Sequence, residues 1–249
     1  MSDQVIVSRS GAVCEVQLNR PEKLNAITLA MYGTITAALS EASADDSIRV
    51  VLVSGAGKSF TAGNDLKDFM SQPDLSDVNE TVGFLRALHT FRKVLIAAVH
   101  GQTVGIGATL LLHCDLVLAA RSTQLSMPFV KLGLVPEAGS SLLLPRLVGH
   151  QRAAELLLLG KPFDAAAALE MGLVNRVTDD EALMDEARAL AHAVAQQPPA
   201  ALLEIKRLMK IEDGSVAARI EEELVAFKTR LGSDDFKAAA QAFFGKRSG

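Results

Sequence analysis

Two short stretches of the chain carry residue types suited to holding a developing negative charge. The first is Phe60-Thr61-Ala62-Gly63-Asn64-Asp65-Leu66 and the second is Gly105-Ile106-Gly107. Each follows an apolar run, 50–53 and 94–99, and each opens a segment of helical character. A strand that ends in small residues and turns into a helix start leaves backbone N–H groups unpaired and aimed outward. Gly63, Gly105 and Gly107 lack a Cβ, so a ligand can approach the backbone beside them. Taken singly, each stretch reads as an ordinary tight turn. Two of them meeting in space would make a pair of donors for an oxyanion. A group able to move a proton stands at Glu137, within Leu134-Val135-Pro136-Glu137-Ala138. Its apolar neighbours suggest a partly dehydrated carboxyl with a raised pKa. The other reading is a first-turn residue of a helix over 137–147, favoured by the helix dipole. Catalysis is preferred, because perturbed carboxyls gather at active sites.

The remaining polar residues read as structural. Asp65 sits at a helix start and caps it, fixing the turn that presents Asn64. Asp115 opens a buried strand, where backbone donors would satisfy it. His89, His100 and His113 lack the spacing of metal ligands, no Cys/His cluster is present, and no metal is implied. Ser126, Ser140 and Ser141 have no evident His and acid partners, which weakens a hydrolase triad.

These residues need elements to hold them. Residues 5–18 read as a hairpin about Ser10-Gly11. Pro21 bars regular structure from the loop at 19–25. Thr28 can cap a helix over 28–44 whose stripe is Leu29, Tyr32, Ile35 and Leu39. The run 48–53 is continuously apolar and reads as a strand covered on both faces. Helices at 65–70 and 78–92, a strand at 94–99, a buried helix at 106–112 and a strand at 115–119 follow. Helices at 151–159 and 164–170 stop at Gly160 and Gly172, and 173–177 reads as a short strand. Helices at 181–197, 200–209, 216–231 and 234–244 close the chain, with Pro198-Pro199 as a break. In the third of them Ile220, Leu224, Phe227 and Leu231 form a stripe opposite Glu221, Glu222 and Glu223. The pattern is an α/β core over 1–195 with a C-terminal helical region over 196–249. Alternation of strands and helices alone points to a doubly wound sheet.

Composition narrows the function. Of the 249 residues, 49% are apolar but only 4% aromatic, so aliphatic side chains must fill the core. A net charge of −4 argues against a nucleic-acid surface, which would want a basic face. Cys14 and Cys114 read as buried small hydrophobes rather than a disulfide. The apolar stretch 94–120 is interrupted by His100, Gln102, His113 and Asp115, so two strands and a helix explain it better than a membrane span. Residues 1–7 have neither the basic nor the apolar part of a secretory signal. Lys246-Arg247-Ser248-Gly249 is not a peroxisomal address. A soluble, cytoplasmic protein is expected.

The run Ala62-Gly63-Asn64-Asp65-Leu66 resembles the first oxyanion-hole segment of the enoyl-CoA hydratase/isomerase (crotonase) superfamily, and the resemblance extends over nearly the whole chain. It implies a crotonase-like spiral of ββα units in place of the doubly wound sheet. Carried over position by position, it makes the backbone N–H groups of Asn64 and Ile106 the two donors to a thioester oxygen. One such donor is typically worth ~3 kcal/mol of barrier. The family's hydratases use two glutamates, and the matching positions hold Thr109 and Phe129. Both carboxylates are therefore missing, and Thr109 reads as bonding its own helix backbone. The segment from Lys131 to Ser141 looks like that of the Δ3,Δ2-enoyl-CoA isomerases, in which a single acid at the place of Glu137 is the acid/base.

The same resemblance implies an acyl-CoA substrate. Coenzyme A enters only as part of that substrate, with no permanently bound cofactor. The family's CoA-binding places match Lys23, Leu24, Asn25 and Ala26, then Ala62, Gly63, Asn64, Asp65 and Leu66, and Ile106. Phe243, Phe244 and Lys246 would add a lid and a phosphate contact, from the same or a neighbouring subunit. Family members form trimers or pairs of trimers, so a homotrimer or dimer of trimers is implied, with the C-terminal region serving assembly and covering the site. The expected activity is migration of an enoyl-CoA double bond from C3 to C2. The rivals are other chemistry on an acyl-CoA (hydration, thioester hydrolysis, attack on an aryl-CoA) and a non-catalytic CoA- or RNA-binding homologue. Acidic charge and scarce aromatics count against RNA.

Overall fold

The computed structural model describes residues 4–71, 79–210 and 214–245. Strands β1 (Val5–Ser10) and β2 (Val13–Leu18) form the expected antiparallel hairpin. Pro21–Lys23 is a turn of 3-10 helix rather than irregular loop, since Pro at a helix's first position sacrifices no hydrogen bond. Helix α1 (Leu29–Ala44) starts at Thr28, whose side chain accepts the Met31 N–H at 3.3 Å. Its predicted stripe, Leu29, Tyr32, Ile35 and Leu39, is buried. Next come β3 (Val50–Gly55), α2 (Leu66–Ser71), α3 (Glu80–Thr90) and β4 (Val94–Val99). Val78, the expected first residue of α3, lies outside the described residues.

After β4 the chain repeats a pattern. Strand β5 (Gln102–Val104) leads into α4 (Ile106–Thr109), which tightens into a 3-10 turn at Leu110–His113. The expected single helix over 106–112 is thus two short pieces. Strands β6 (Leu116–Ala120) and β7 (Gln124–Ser126) follow. Helices α5 (Ser140–Val148) and α6 (His150–Leu159) precede β8 (Phe163–Asp164), α7 (Ala165–Glu170) and β9 (Arg176–Thr178). The last strand forms three residues later than expected, where it can pair with β6. The chain closes with α8 (Leu183–Ala195), α9 (Pro199–Met209), α10 (Ser215–Leu231) and α11 (Asp234–Gly245).

Two sheets result. The larger has the order β1-β2-β3-β4-β6-β9, parallel apart from the hairpin, and the smaller has the order β5-β7-β8. Strand order in the large sheet follows chain order without reversal. A doubly wound sheet needs a point at which the order reverses, so that expectation fails. Each pass of the chain instead places one strand in the large sheet and the next in the small one: β4 then β5, β6 then β7. The first pass joins in through a parallel bridge between Thr61 and Thr103. This is a ββα spiral.

Strand β3 is buried along its whole length, as its unbroken apolar run requires. Val51 and Val53 face the cluster holding α1 and α3, while Val50 and Leu52 face the one holding α8. Leu183, Ala187, Ala191 and Ala195 recur every four residues and let α8 lie close on the sheet. Ile220 and Leu224 of α10 join the cluster of α1 and β2. Among the described residues no helix is long and apolar enough to cross a membrane.

Candidate active site

The two glycine turns are neighbours. Thr61 N–H donates to Gln102 O at 3.0 Å, and Val104 N–H donates to Thr61 O at 3.0 Å. Gly63 has φ +89, a conformation L side chains rarely adopt, and a Cβ there would lie 3.1 Å from Val104 O. A Cβ on Gly107 would lie 2.4 Å from Thr61 Cγ2, so only glycine lets the turns touch. Asp65 N–H is taken by Ile27 O at 2.8 Å and Gly105 N–H by Ser126 O at 2.9 Å. Between them, the N–H groups of Asn64 and Ile106 have no acceptor among the described residues. Ile106 is the first residue of α4, so its N–H is one that a helix cannot satisfy internally. Asn64, Ala62 and Gly105 are partly exposed and mark the way in; Ile106 and Gly63 are buried.

Asp65 caps α2 as expected, accepting the Lys67 N–H at 3.1 Å. It also pairs with Arg20 at 2.7 Å, a partner the sequence did not suggest. Burial works to raise this carboxyl, but the Arg20 contact and the backbone N–H groups hold it below its ordinary value. Arg20 also donates to Ala26 O at 2.9 Å, and Ala62 N–H donates to Leu24 O at 2.9 Å. The Lys23 to Ala26 loop is thereby stitched to the 62–66 segment, with Lys23 exposed and Leu24, Ala26 and Leu66 half-buried. Leu24 and Asn25 adopt left-handed backbone, at φ 52 and 55. The wholly buried Asn25 amide holds that conformation by donating to Ala56 O and Ser59 O. Phe243 is 41% exposed on α11. The side chain of Phe244 and all of Lys246 lie outside the described residues.

Glu137 is not in a helix. Helix α5 begins at Ser140, and Glu137 occupies the turn before it, followed by Ala138 at φ 61 and Gly139 at φ 68. Two successive left-handed residues prevent the helix from starting earlier, so the helix-dipole reading falls. Glu137 is only 6% exposed, and Thr109 Oγ1 lies 2.5 Å from its Oε1. Thr109 also lies 3.3 Å from Gly105 O, so it bonds its helix backbone as expected and the carboxyl as well. Burial pushes the Glu137 carboxyl up to about 8; the Thr109 hydroxyl draws it down and the charge of Glu223 adds to the rise. A hydroxyl has one proton to give. Protonated, Glu137 can donate to Thr109, which donates to Gly105 O; ionised, it accepts from Thr109.

Tyr32 was expected only as core, yet its hydroxyl donates to Asn64 Oδ1 at 2.5 Å. Burial, and after it the charge of Glu137, holds this phenol well above its ordinary pKa. One signal was available: this is the chain's single tyrosine, set in an otherwise apolar stripe, and a buried hydroxyl needs a partner. Glu223, expected on the exposed face of α10, is 5% exposed and accepts the Gly139 N–H at 2.6 Å and the Ser141 N–H at 2.9 Å. Asp115 is held as expected by a backbone donor, Leu95 N–H at 2.8 Å, and by Lys206 at 2.6 Å besides. His113 is buried, its Nε2 2.7 Å from Ala138 O, and burial pulls it down to about 4. No group of three or more His, Cys, Asp or Glu able to hold a metal occurs among the described residues. A surface hollow of about 560 Å³ beside Val130, Lys131, Arg230 and Asp235 is lined by none of the predicted site residues. The perturbed carboxyl is connected instead to the second glycine turn, through Thr109, which contacts both Glu137 and Gly105 O.

A ββα spiral with two apposed glycine turns and a buried carboxyl tied to the second of them through Thr109 defines a crotonase-type enzyme. A model of the enoyl-CoA hydratase/isomerase family matches residues 8–249. The 1,2-epoxyphenylacetyl-CoA isomerase of Escherichia coli strain K12 is 38% identical over 244 residues, covering 95% of this chain and 93% of that protein. Enoyl-CoA delta isomerase 2 of Rattus norvegicus is 34% identical over 249 residues, covering 97% of this chain and 63% of that protein. The crystal structure of an enoyl-CoA hydratase/isomerase from Pseudoalteromonas atlantica T6c superimposes with a TM-score of 0.94 at 39% identity, over 98% of each chain. The chain belongs to the enoyl-CoA hydratase/isomerase family, whose members process acyl-CoA substrates.

Proposed function

We propose that the protein is a Δ3,Δ2-enoyl-CoA isomerase in which Glu137 is the sole proton carrier. The N–H groups of Asn64 and Ile106 hold the thioester oxygen as charge develops on it. The Glu137 carboxylate takes a proton from C2, giving a dienolate, and returns a proton to C4 on the same face. One group suffices for both transfers, and a pKa near the working pH lets it accept and donate with little penalty. The observation that carries this reading is the buried Glu137 carboxyl, linked through Thr109 to Gly105, the residue before Ile106, whereas the other buried acid, Glu223, is taken up by backbone N–H groups. Hydration favours two carboxylates, and Thr109 and Phe129 stand at the two positions where the resemblance would place them. Coenzyme A arrives as part of the substrate, along the 23–26 loop and the 62–66 segment. Assembly into trimers or pairs of trimers is supported by the large apolar side chains left exposed, among them Leu158, Leu208, Met209 and Val225. Cys14 and Cys114 are free thiols, in keeping with a reducing compartment such as the cytoplasm.

A second reading is isomerisation of an aryl-acetyl-CoA, favoured by the name of the 38% identical relative. The Tyr32 ring, packed 5.0 Å from that of Phe84, brings an aromatic group up to Asn64 through its hydroxyl. An ultraviolet assay across 3-enoyl, 2-enoyl and aryl acyl-CoA thioesters separates the two. Glu137→Gln is expected to abolish turnover of a 3-enoyl-CoA while leaving CoA-thioester binding in place, and unchanged turnover would overturn the assignment. Water addition to a 2-enoyl-CoA at a rate comparable with isomerisation would count for a hydratase.

A further inference from the structure

We infer that Glu223 is a positioning residue for Glu137: its carboxylate clamps the turn that aims Glu137 and places a fixed negative charge beside it. The turn needs a clamp. Ala138 and Gly139 both have left-handed backbone, a costly conformation for alanine. Helix α5 has Gly139 at its N-cap, with no side chain to accept the first free N–H groups. Glu223, 84 residues further along the chain, supplies that cap, with Oε2 on Gly139 N–H and Oε1 on Ser141 N–H. The N–H groups of Gly139 and Ser141 each take one carboxylate oxygen, an arrangement that a neutral amide, offering one acceptor, cannot reproduce. Burying an acid is unfavourable unless its oxygens are satisfied. Its neighbours on α10 have ordinary roles, Glu221 pairing with Arg86 and Glu222 with Arg219.

The two buried acids have been given opposite surroundings. Burial holds the Glu223 carboxyl above its ordinary value, and the Ser141 hydroxyl, the N–H groups of Ser141 and Gly139 and the nearby Arg219 work against that rise. Glu137 has only a hydroxyl, so Glu223 ionises first and its charge then disfavours ionisation of Glu137. The other groups facing the pair are few. Helix α1 contributes the neutral Tyr32, the 3-10 turn after α4 contributes the neutral His113, and α4 contributes Thr109. Arg219 reaches Ser141 Oγ at 3.3 Å and is itself paired with Glu222.

The catalytic half of this inference rests on the proposed role of Glu137, and the test separates the two. Glu223→Gln and Glu223→Asp would be made in the full chain, with far-ultraviolet circular dichroism as a check of folding. Glu137 would be titrated in the free protein by carbon-13 NMR of labelled glutamate, its signal assigned by its loss in Glu137→Gln. The pH dependence of kcat on a 3-enoyl-CoA would be measured alongside. In Glu223→Gln the Glu137 midpoint should fall by about one pH unit as the like charge is removed. The kcat at its plateau should fall at least about tenfold with KM little changed, as the carboxyl loses its aim. Glu223→Asp keeps the charge but is one methylene shorter, so kcat should fall while the midpoint holds. A Glu137 midpoint unmoved by Glu223→Gln overturns the inference. If that variant does not fold, an unchanged kcat in Glu223→Asp does so. A parent protein inactive on every 3-enoyl-CoA refutes the isomerase reading, while the NMR titration still decides the role of Glu223.

Discussion

Glu137 keeps its proton in the folded chain at a pH where an exposed carboxyl has lost it. In its proposed role as base it must be ionised, so kcat/KM should rise with pH and level off above about 8. Stability should run the other way. The folded carboxyl binds its proton more tightly than the unfolded one, so this stabilisation is complete below pH 4.5 and is lost as pH rises to about 8. Glu137→Gln escapes that loss. It should therefore exceed the parent in stability at pH 9 by roughly 2–4 kcal/mol, with little advantage at pH 4, as read by denaturant unfolding at both pH values. Thr109→Val removes the hydroxyl that favours the charged carboxyl. The pH–rate midpoint should move upward, and a midpoint that stays in place would show that the 2.5 Å contact is idle in solution. Both acids and the threonine were visible as letters. Only Glu137 was recognisable as chemistry, because its apolar neighbours adjoin it in the sequence, whereas those of Thr109 and Glu223 do not.

At the scale of elements, the site depends on one junction, the bridge from Thr61 to Thr103 that sets two glycine turns side by side. Gly107→Ala puts a methyl group 2.4 Å from Thr61 Cγ2. The turns must separate to relieve it, at a stability cost of roughly 1–3 kcal/mol. Displacing Ile106 N–H by about an ångström should lower kcat by about 100-fold. A scanning-calorimetry trace and a kcat measurement check both, and full activity in Gly107→Ala would mean the turns do not form a shared donor pair. Most elements were legible from periodicity: the hairpin, α1 with its cap, and β4 to the residue. The failures fall where local preference was overruled. The start of α5 is set by the left-handed pair Ala138-Gly139, and β9 lies where β6 offers a partner rather than where the sequence is most apolar.

The C-terminal helices are bound into the rest of the molecule by charge as well as by apolar contact. Lys206 of α9 is 3% exposed, donates to Lys93 O at 2.6 Å and pairs with Asp115 at 2.6 Å. Asp115 in turn holds Leu95 N–H at the head of β4. Lys206→Met leaves that carboxylate buried without its cation, at a cost of about 3–5 kcal/mol. Because the pair lies outside the site, kcat of the folded variant should not change. Denaturant midpoints and steady-state kinetics on one preparation test this, and a loss of kcat without a loss of stability would contradict it. Through Glu223 the same helical region also reaches the turn that carries Glu137.

What the sequence determined unaided is what depends on neighbours along the chain. This includes the buried strands, the caps, the glycine turns able to expose donors, and the acid at 137 among apolar neighbours. The tertiary structure alone decided that Tyr32 meets Asn64, that Thr109 meets Glu137, and that an acid from α10 is turned inward to cap α5. The reason is physical. A buried polar group must find its partner wherever the packed elements bring one within about 3 Å, and hydrophobic periodicity records which face of an element is buried without recording what lies against it.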